Sequence, residues 1–140
     1  MSAKTVLVVD DEPHIRYVLE LKLSRAGITV ITAGDGRRAY ELACRHMPDL
    51  VVTDYQMPDT DGLGLCRLLM ENPKTRAIPT LLLTGRGYKV PPSDLATTNI
   101  RCVMDKPFSP IELLAQIQEL LNDAAAEETR HDDDTGASAA

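Results

Sequence analysis

Five short apolar runs, each ending abruptly on polar residues and separated by segments of helical periodicity, constrain this chain more than any other feature. The first, Thr5-Val6-Leu7-Val8-Val9, runs into Asp10-Asp11; the second, Ile28 to Ala33, into the turn Gly34-Asp35-Gly36. Leu50 to Thr53 runs into Asp54, Pro79 to Leu83 into Thr84-Gly85, and Arg101 to Met104 into Asp105-Lys106-Pro107. Runs this short and this continuously apolar, rich in β-branched residues, suit strands covered on both faces.

The intervening segments read as helices. Pro13 fits a first helical position, where its missing N–H costs nothing, and Ile15, Val18, Leu19, Leu23 and Ala26 follow before Gly27 as a stop. Ala39, Leu42, Ala43 and Met47 mark a second helix, ended by Pro48. Asp61-Gly62 opens a third through Leu65, Cys66 and Leu69, closing near Asn72-Pro73. Ser109-Pro110-Ile111-Glu112 is a capping box ahead of Leu113, Leu114, Ile117, Leu120 and Leu121. Between the fourth and fifth runs, Pro91 and Pro92 can start a helix but not sit inside one, and Thr97, Thr98 and Asn99 form helices poorly. A helix capped by Ser93 would be short. Strands alternating with helices imply right-handed crossovers. The expected fold is α/β: a doubly wound, five-stranded parallel sheet, flavodoxin-like, of strand order 2-1-3-4-5.

Bulk properties narrow the class. With 44% hydrophobic and 26% charged residues, one Phe and no Trp, the core must be aliphatic. No apolar run approaches the ~20 residues that span a membrane, and the N-terminus lacks signal-peptide architecture; a cytoplasmic location is expected. Cys44, Cys66 and Cys102 are scattered in apolar contexts, which suits reduced core residues rather than zinc or disulfides. From Asp123 onward six acids face one base, so the tail holds −5 of the net −6 and the rest only −1. No basic stripe points to nucleic acid. Residues 1–122 are expected to form one domain and 123–140 an acidic tail, disordered beyond an extra helical turn. His131 beside Asp132-Asp133-Asp134 reads as part of that solvated tail.

In such a sheet, ligands bind outside the carboxyl ends of the strands. Those ends supply Asp10, Asp11, Asp54, Thr84 and Lys106. Carboxylates crowded there repel one another, and a hard divalent cation relieves the repulsion. A lysine and a hydroxyl beside an acidic metal site suit a phosphoryl group.

Taken together, Asp10-Asp11, Asp54, Thr84-Gly85 and Lys106-Pro107-Phe108, with Met57-Pro58 and Asp61-Gly62, resemble the response-regulator receiver family from residue 4 to about 121. The resemblance implies that Asp54 takes a phosphoryl group from a phosphohistidine of a sensor histidine kinase or histidine phosphotransfer protein. It implies Mg²⁺ on Asp11, Asp54 and the backbone carbonyl of Gln56, with Asp10 acting largely through water. Lys106 would pair with Asp54 and then with the phosphate. Thr84 would move to bond the phosphate, and the Lys106-Pro107 peptide would be cis. Self-catalysed phosphorylation and slow dephosphorylation follow, without turnover of an external substrate. The signal would pass to a partner protein, since no output domain is read in these 140 residues.

One position departs from the family. Many receivers carry an aromatic residue three positions before the lysine; here it is Val103, and Tyr88 is a candidate substitute. An aspartyl-nucleophile phosphatase would need an acid two residues after Asp54, where Gln56 stands. A flavin or nucleotide binder would need a Gly/Ser/Thr-rich loop after the first strand, where Asp10-Asp11-Glu12 presents negative charge.

Overall fold

A computed structural model describes the backbone of residues 3–85 and 88–139, and side chains up to residue 124. Five strands are present among the described residues: β1 Thr5–Val9, β2 Thr29–Ala33, β3 Leu50–Asp54, β4 Thr80–Thr84 and β5 Ile100–Asp105. Between and after them lie α1 Pro13–Arg25, α2 Gly36–His46, α3 Gly62–Glu71, α4 Pro92–Thr97 and α5 Pro110–Ala139. All pairings are parallel and the strand order is β2-β1-β3-β4-β5, as expected from the alternation.

Period-two alternation sorts each strand between two cores. Val6, Val8, Leu50, Val52, Leu81 and Leu83 face α1 and α5, meeting Leu19, Leu23, Leu113, Ile117 and Leu121. Leu7, Val9 and Val51 face the other way, against Ala39, Leu42 and Ala43 of α2 and Leu65 and Leu69 of α3. A smaller cluster of Leu63, Cys66, Leu82 and Ile100 lies between α3 and the β4–β5 edge. Burial pushes the Cys66 thiol up to about 12, which leaves it an inert hydrophobe.

Several boundaries differ from the sequence reading. Asp54 and Thr84 are the last residues of their strands rather than the first beyond them. Met47 is not on the buried face of α2. It caps the helix in the left-handed region (φ 48°), 45% exposed, because Pro48 cannot continue it. Gly27 (φ 84°) stops α1 as expected. The fourth helix is short, but Pro91 stands at its N-cap and Ser93 lies inside the first turn. Ser109 Oγ accepts the Glu112 N–H at 3.4 Å at the start of α5. The acidic segment expected to be disordered instead continues α5 to Ala139. Its Ala- and Glu-rich first part extends a helix already nucleated, so each added residue gains a hydrogen bond without a new nucleus. The side chains of His131 and Asp132 to Asp134 lie outside those described. No helix among the described residues is long and apolar enough to cross a membrane.

Candidate functional site

Register brings the site together. Val9 lies opposite Thr53, so the following residues, Asp10 and Asp54, leave β1 and β3 side by side. Both are buried, at 1% and 5% exposure. Two buried carboxylates at one sheet end need a cation, and Lys106 supplies it from the end of β5. Its Nζ lies 3.3 Å from Asp10 Oδ2 and 3.2 Å from Asp54 Oδ1. The Lys106–Pro107 peptide is cis, and the Lys106 N–H donates to the carbonyl of Thr84 at 2.7 Å.

The electrostatics follow from this geometry. Burial lifts the Asp54 carboxyl above its ordinary value; Lys106 pulls it back, while Asp10 and Asp11 push it up again. Burial works against the Lys106 charge, but Asp10 and Asp54 outweigh it and hold the ammonium above its ordinary range. Lys106 is thus firmly charged at neutral pH, whereas Asp54 carries a desolvation cost that its partner only partly offsets.

The backbone around these groups is pinned. Asp10 Oδ1 accepts the Glu12 N–H at 2.9 Å, and Arg16 of α1 donates to the Asp10 carbonyl at 2.7 Å. At the start of α3, Asp61 caps the helix by accepting the Gly64 N–H at 2.7 Å. The Gly62 N–H donates to the carbonyl of Tyr55 at 2.9 Å. A Cβ on Gly62 would stand 2.6 Å from the Asp54 carbonyl oxygen, so only glycine fits where the helix passes behind the aspartate.

On the solvent side, carboxylate oxygens of Asp10, Asp11 and Glu12 lie within 4.8 Å of one another. A cleft of about 440 Å³, lined by Asp11, Tyr55, Gln56, Met57, Pro58 and Asp61, opens beside them. Oxygen donors of net negative charge, without nitrogen or sulfur, fit a hard cation of the Mg²⁺ kind. Glu12, rather than Asp54, completes this acidic group. Thr84 is fully buried and turned to β5, its Oγ1 donating to Asp105 Oδ1 at 3.0 Å with the Met104 carbonyl at 3.5 Å.

The fold therefore brings Asp10, Asp54 and Lys106 into contact, sets Asp11 and Gln56 along the adjoining cleft, and points the Thr84 hydroxyl at Asp105. Glu12 was legible only as a neighbouring acid, and Asp105 only as the residue beside Lys106. Nothing in the sequence marked Arg16.

The chain matches the model of the response regulator receiver domain over residues 6–118. It belongs to the response regulator receiver family. As a receiver domain of a two-component response regulator, it has the framework of a phosphoacceptor switch. It is 42% identical over 126 residues to "Probable transcriptional regulator ycf27" of Guillardia theta, covering 86% of this chain and 46% of that protein. It is 36% identical over 123 residues to the response regulator PleD of Caulobacter vibrioides, covering 86% of this chain and 26% of PleD. The chain thus spans about half or less of these relatives' lengths. Among solved structures, a response regulator from Chloroflexus aurantiacus superposes with TM-score 0.78 at 30% identity, covering 86% of this chain and 99% of that one. The Vibrio cholerae chemotaxis protein CheY4 gives 0.74 at 28% identity, covering 85% and 99%.

Proposed function

We propose that this receiver domain accepts a phosphoryl group on Asp54 from a phosphohistidine of a sensor kinase or phosphotransfer protein. A carboxylate oxygen of Asp54 attacks phosphorus, the N–P bond breaks, and its electron pair leaves on the imidazole nitrogen, giving an acyl phosphate. Lys106 steadies the attacking carboxylate and then the phosphoryl oxygens, and Thr84 donates to those oxygens once turned toward them. Asp11, Asp54 and the Gln56 carbonyl would hold Mg²⁺, with Asp10 acting largely through water and Glu12 adding charge at the rim. When bound, Mg²⁺ neutralises charge on the phosphoryl oxygens. The domain promotes its own phosphorylation and slow dephosphorylation rather than turning over an external substrate. It works in the cytoplasm and signals to a partner protein, without direct contact to nucleic acid or insertion into a membrane. Residues 1–122 carry this function and 123–140 lie outside it.

The observation that supports this reading best is the single ammonium of Lys106 shared by two buried carboxylates, 3.3 and 3.2 Å away. Incubation with a small-molecule phosphodonor and Mg²⁺, followed by intact mass, tests it. One phosphoryl group should add to the native chain and none to Asp54→Ala. Equal gain by the variant would overturn the assignment.

A further inference from the structure

Asp10 and Asp11 share one peptide plane, and the acidic wall of the cleft depends on how that plane is turned. The plane is rigid, so the direction of the Asp10 carbonyl also sets the direction in which Asp11 leaves it. Asp11 is exposed at the mouth of the cleft, where packing does little to aim it. Asp10 lies one residue past β1, and its N–H still donates to the Ala33 carbonyl of β2 at 3.2 Å. Its carbonyl is held from the other side, by Arg16 Nη1 in the first turn of α1, at 2.7 Å.

Arg16 is in turn seated. Its guanidinium crosses Gly34 in the β2–α2 turn, where a Cβ would stand 3.2 Å from Nη1 and 3.7 Å from Cζ. Glycine there leaves the room that the guanidinium fills. Two residues on, a Cβ at Gly36 would lie 2.6 Å from the carbonyl oxygen of Thr60, next to the cleft residue Asp61. The turn's own acid, Asp35, is used to cap α2 through the Arg38 N–H at 2.8 Å. The turn therefore serves as a wedge between the arginine behind Asp10 and the far wall of the cleft.

We propose that Arg16 is a positioning residue for metal binding: by holding the Asp10 carbonyl against the Gly34 turn, it aims Asp11 into the cleft as a ligand for Mg²⁺. The role is geometric and runs against the arginine's charge. A guanidinium beside an acidic site repels a second cation, so loss of its charge alone would tighten Mg²⁺ binding. Loss of an outer support for a ligand weakens binding, by about 10-fold at the lower end of such effects. The two signs are opposite, and here the geometric one wins. This inference rests on the metal set proposed above for phosphorylation of Asp54.

Calorimetric titration of the full chain with Mg²⁺, beside Arg16→Met and Leu23→Val, tests it. Arg16→Met removes both charge and donor, yet should raise the Mg²⁺ dissociation constant about 10-fold. An unchanged or lower constant would overturn the role. Leu23→Val trims a buried side chain of the same helix and should lower the urea midpoint while keeping the native Mg²⁺ constant. Equal weakening there would overturn positioning in favour of general support of the fold. Gly34→Ala crowds Nη1 and should weaken Mg²⁺ binding in the native background but not in Arg16→Met; equal effects in both would overturn the seating. At saturating Mg²⁺, phosphoryl gain by Arg16→Met from a small donor should stay within about 2-fold of the native rate, as when binding alone is lost. A deeper loss would place the effect of Arg16 on Asp54 and Lys106, against the proposal. Failure of the native chain to bind Mg²⁺ overturns the proposed metal set and this inference with it; native binding left unmoved by Arg16→Met overturns this inference alone.

Discussion

The acidic end of β1 and β3 and the outer strand β5 are built to different standards. β3 is buried at every residue, and its terminal aspartate is gripped by a lysine from a strand two places away in the sheet. β5 buries only Ile100 and is otherwise half-buried or exposed, meets β4 through a register shift at Thr80/Leu81, and is flanked by a six-residue helix with no buried residue. A reactive carboxylate needs a rigid frame, because misplacement of its partners costs directly in rate. A segment that must change position cannot also be the best packed, and mobile elements are drawn from the least stable parts of a fold. On the proposed function, the rigid side is where the phosphoryl group would be held.

The largest expected effect breaks the rigid side. Lys106→Met leaves two buried carboxylates without their cation and should cost about 3 kcal/mol in Mg²⁺-free buffer, measured by urea unfolding. A loss no larger than that of a surface substitution would mean the pair is not the clamp described. A matched pair of truncations compares the regions directly. Val52→Ala, in the fully buried strand, should cost about 2 to 3 kcal/mol, and Val103→Ala, in the half-buried one, under about 1. Equal costs would erase the distinction. Gly62→Ala, which places a methyl against the Asp54 carbonyl, should cost about 1 to 3 kcal/mol and slow phosphoryl gain from a small donor.

A smaller effect has the opposite sign. The folded protein holds the Asp54 proton above the ordinary value of 3.8, mainly through burial, so stability falls as pH rises through that window and stays reduced above it. Asp54→Asn removes this cost. The Mg²⁺-free variant should melt higher than the native chain at neutral pH, the gain fading as pH falls from the raised folded value toward 3.8 and gone below it. Lys106 runs the other way: its contribution is full below its ordinary 10.5 and is lost only as pH rises through the higher folded value. Smallest of all, Arg67→Ala severs the exposed Arg67–Asp94 bridge between α3 and α4 and should leave the urea midpoint unmoved.

Much of this was written in local pattern. Continuous apolar runs, Pro13, Gly27 and Ser109-Pro110 announced strands, starts and stops, because such signals act on the residue that carries them and its near neighbours. Alternation of strand and helix, with five strands in this length, then suggested the order 2-1-3-4-5, and the polar residues closing the runs marked the edge where a ligand would bind. Helix length failed at α5, since propagation from a stable core is a tertiary matter that composition does not report.

The sequence by itself determined the fold and the set of side chains that could meet at one end of the sheet. Only the tertiary structure decided who partners whom: that Lys106 serves Asp10 as well as Asp54, that Thr84 gives its proton to Asp105, and that Tyr88 rests on Tyr55. Backbone periodicity is a property of adjacent residues. A hydrogen bond between residues 84 and 105, or a ring contact between 55 and 88, depends on strand register and rotamer, which exist only once the sheet has closed.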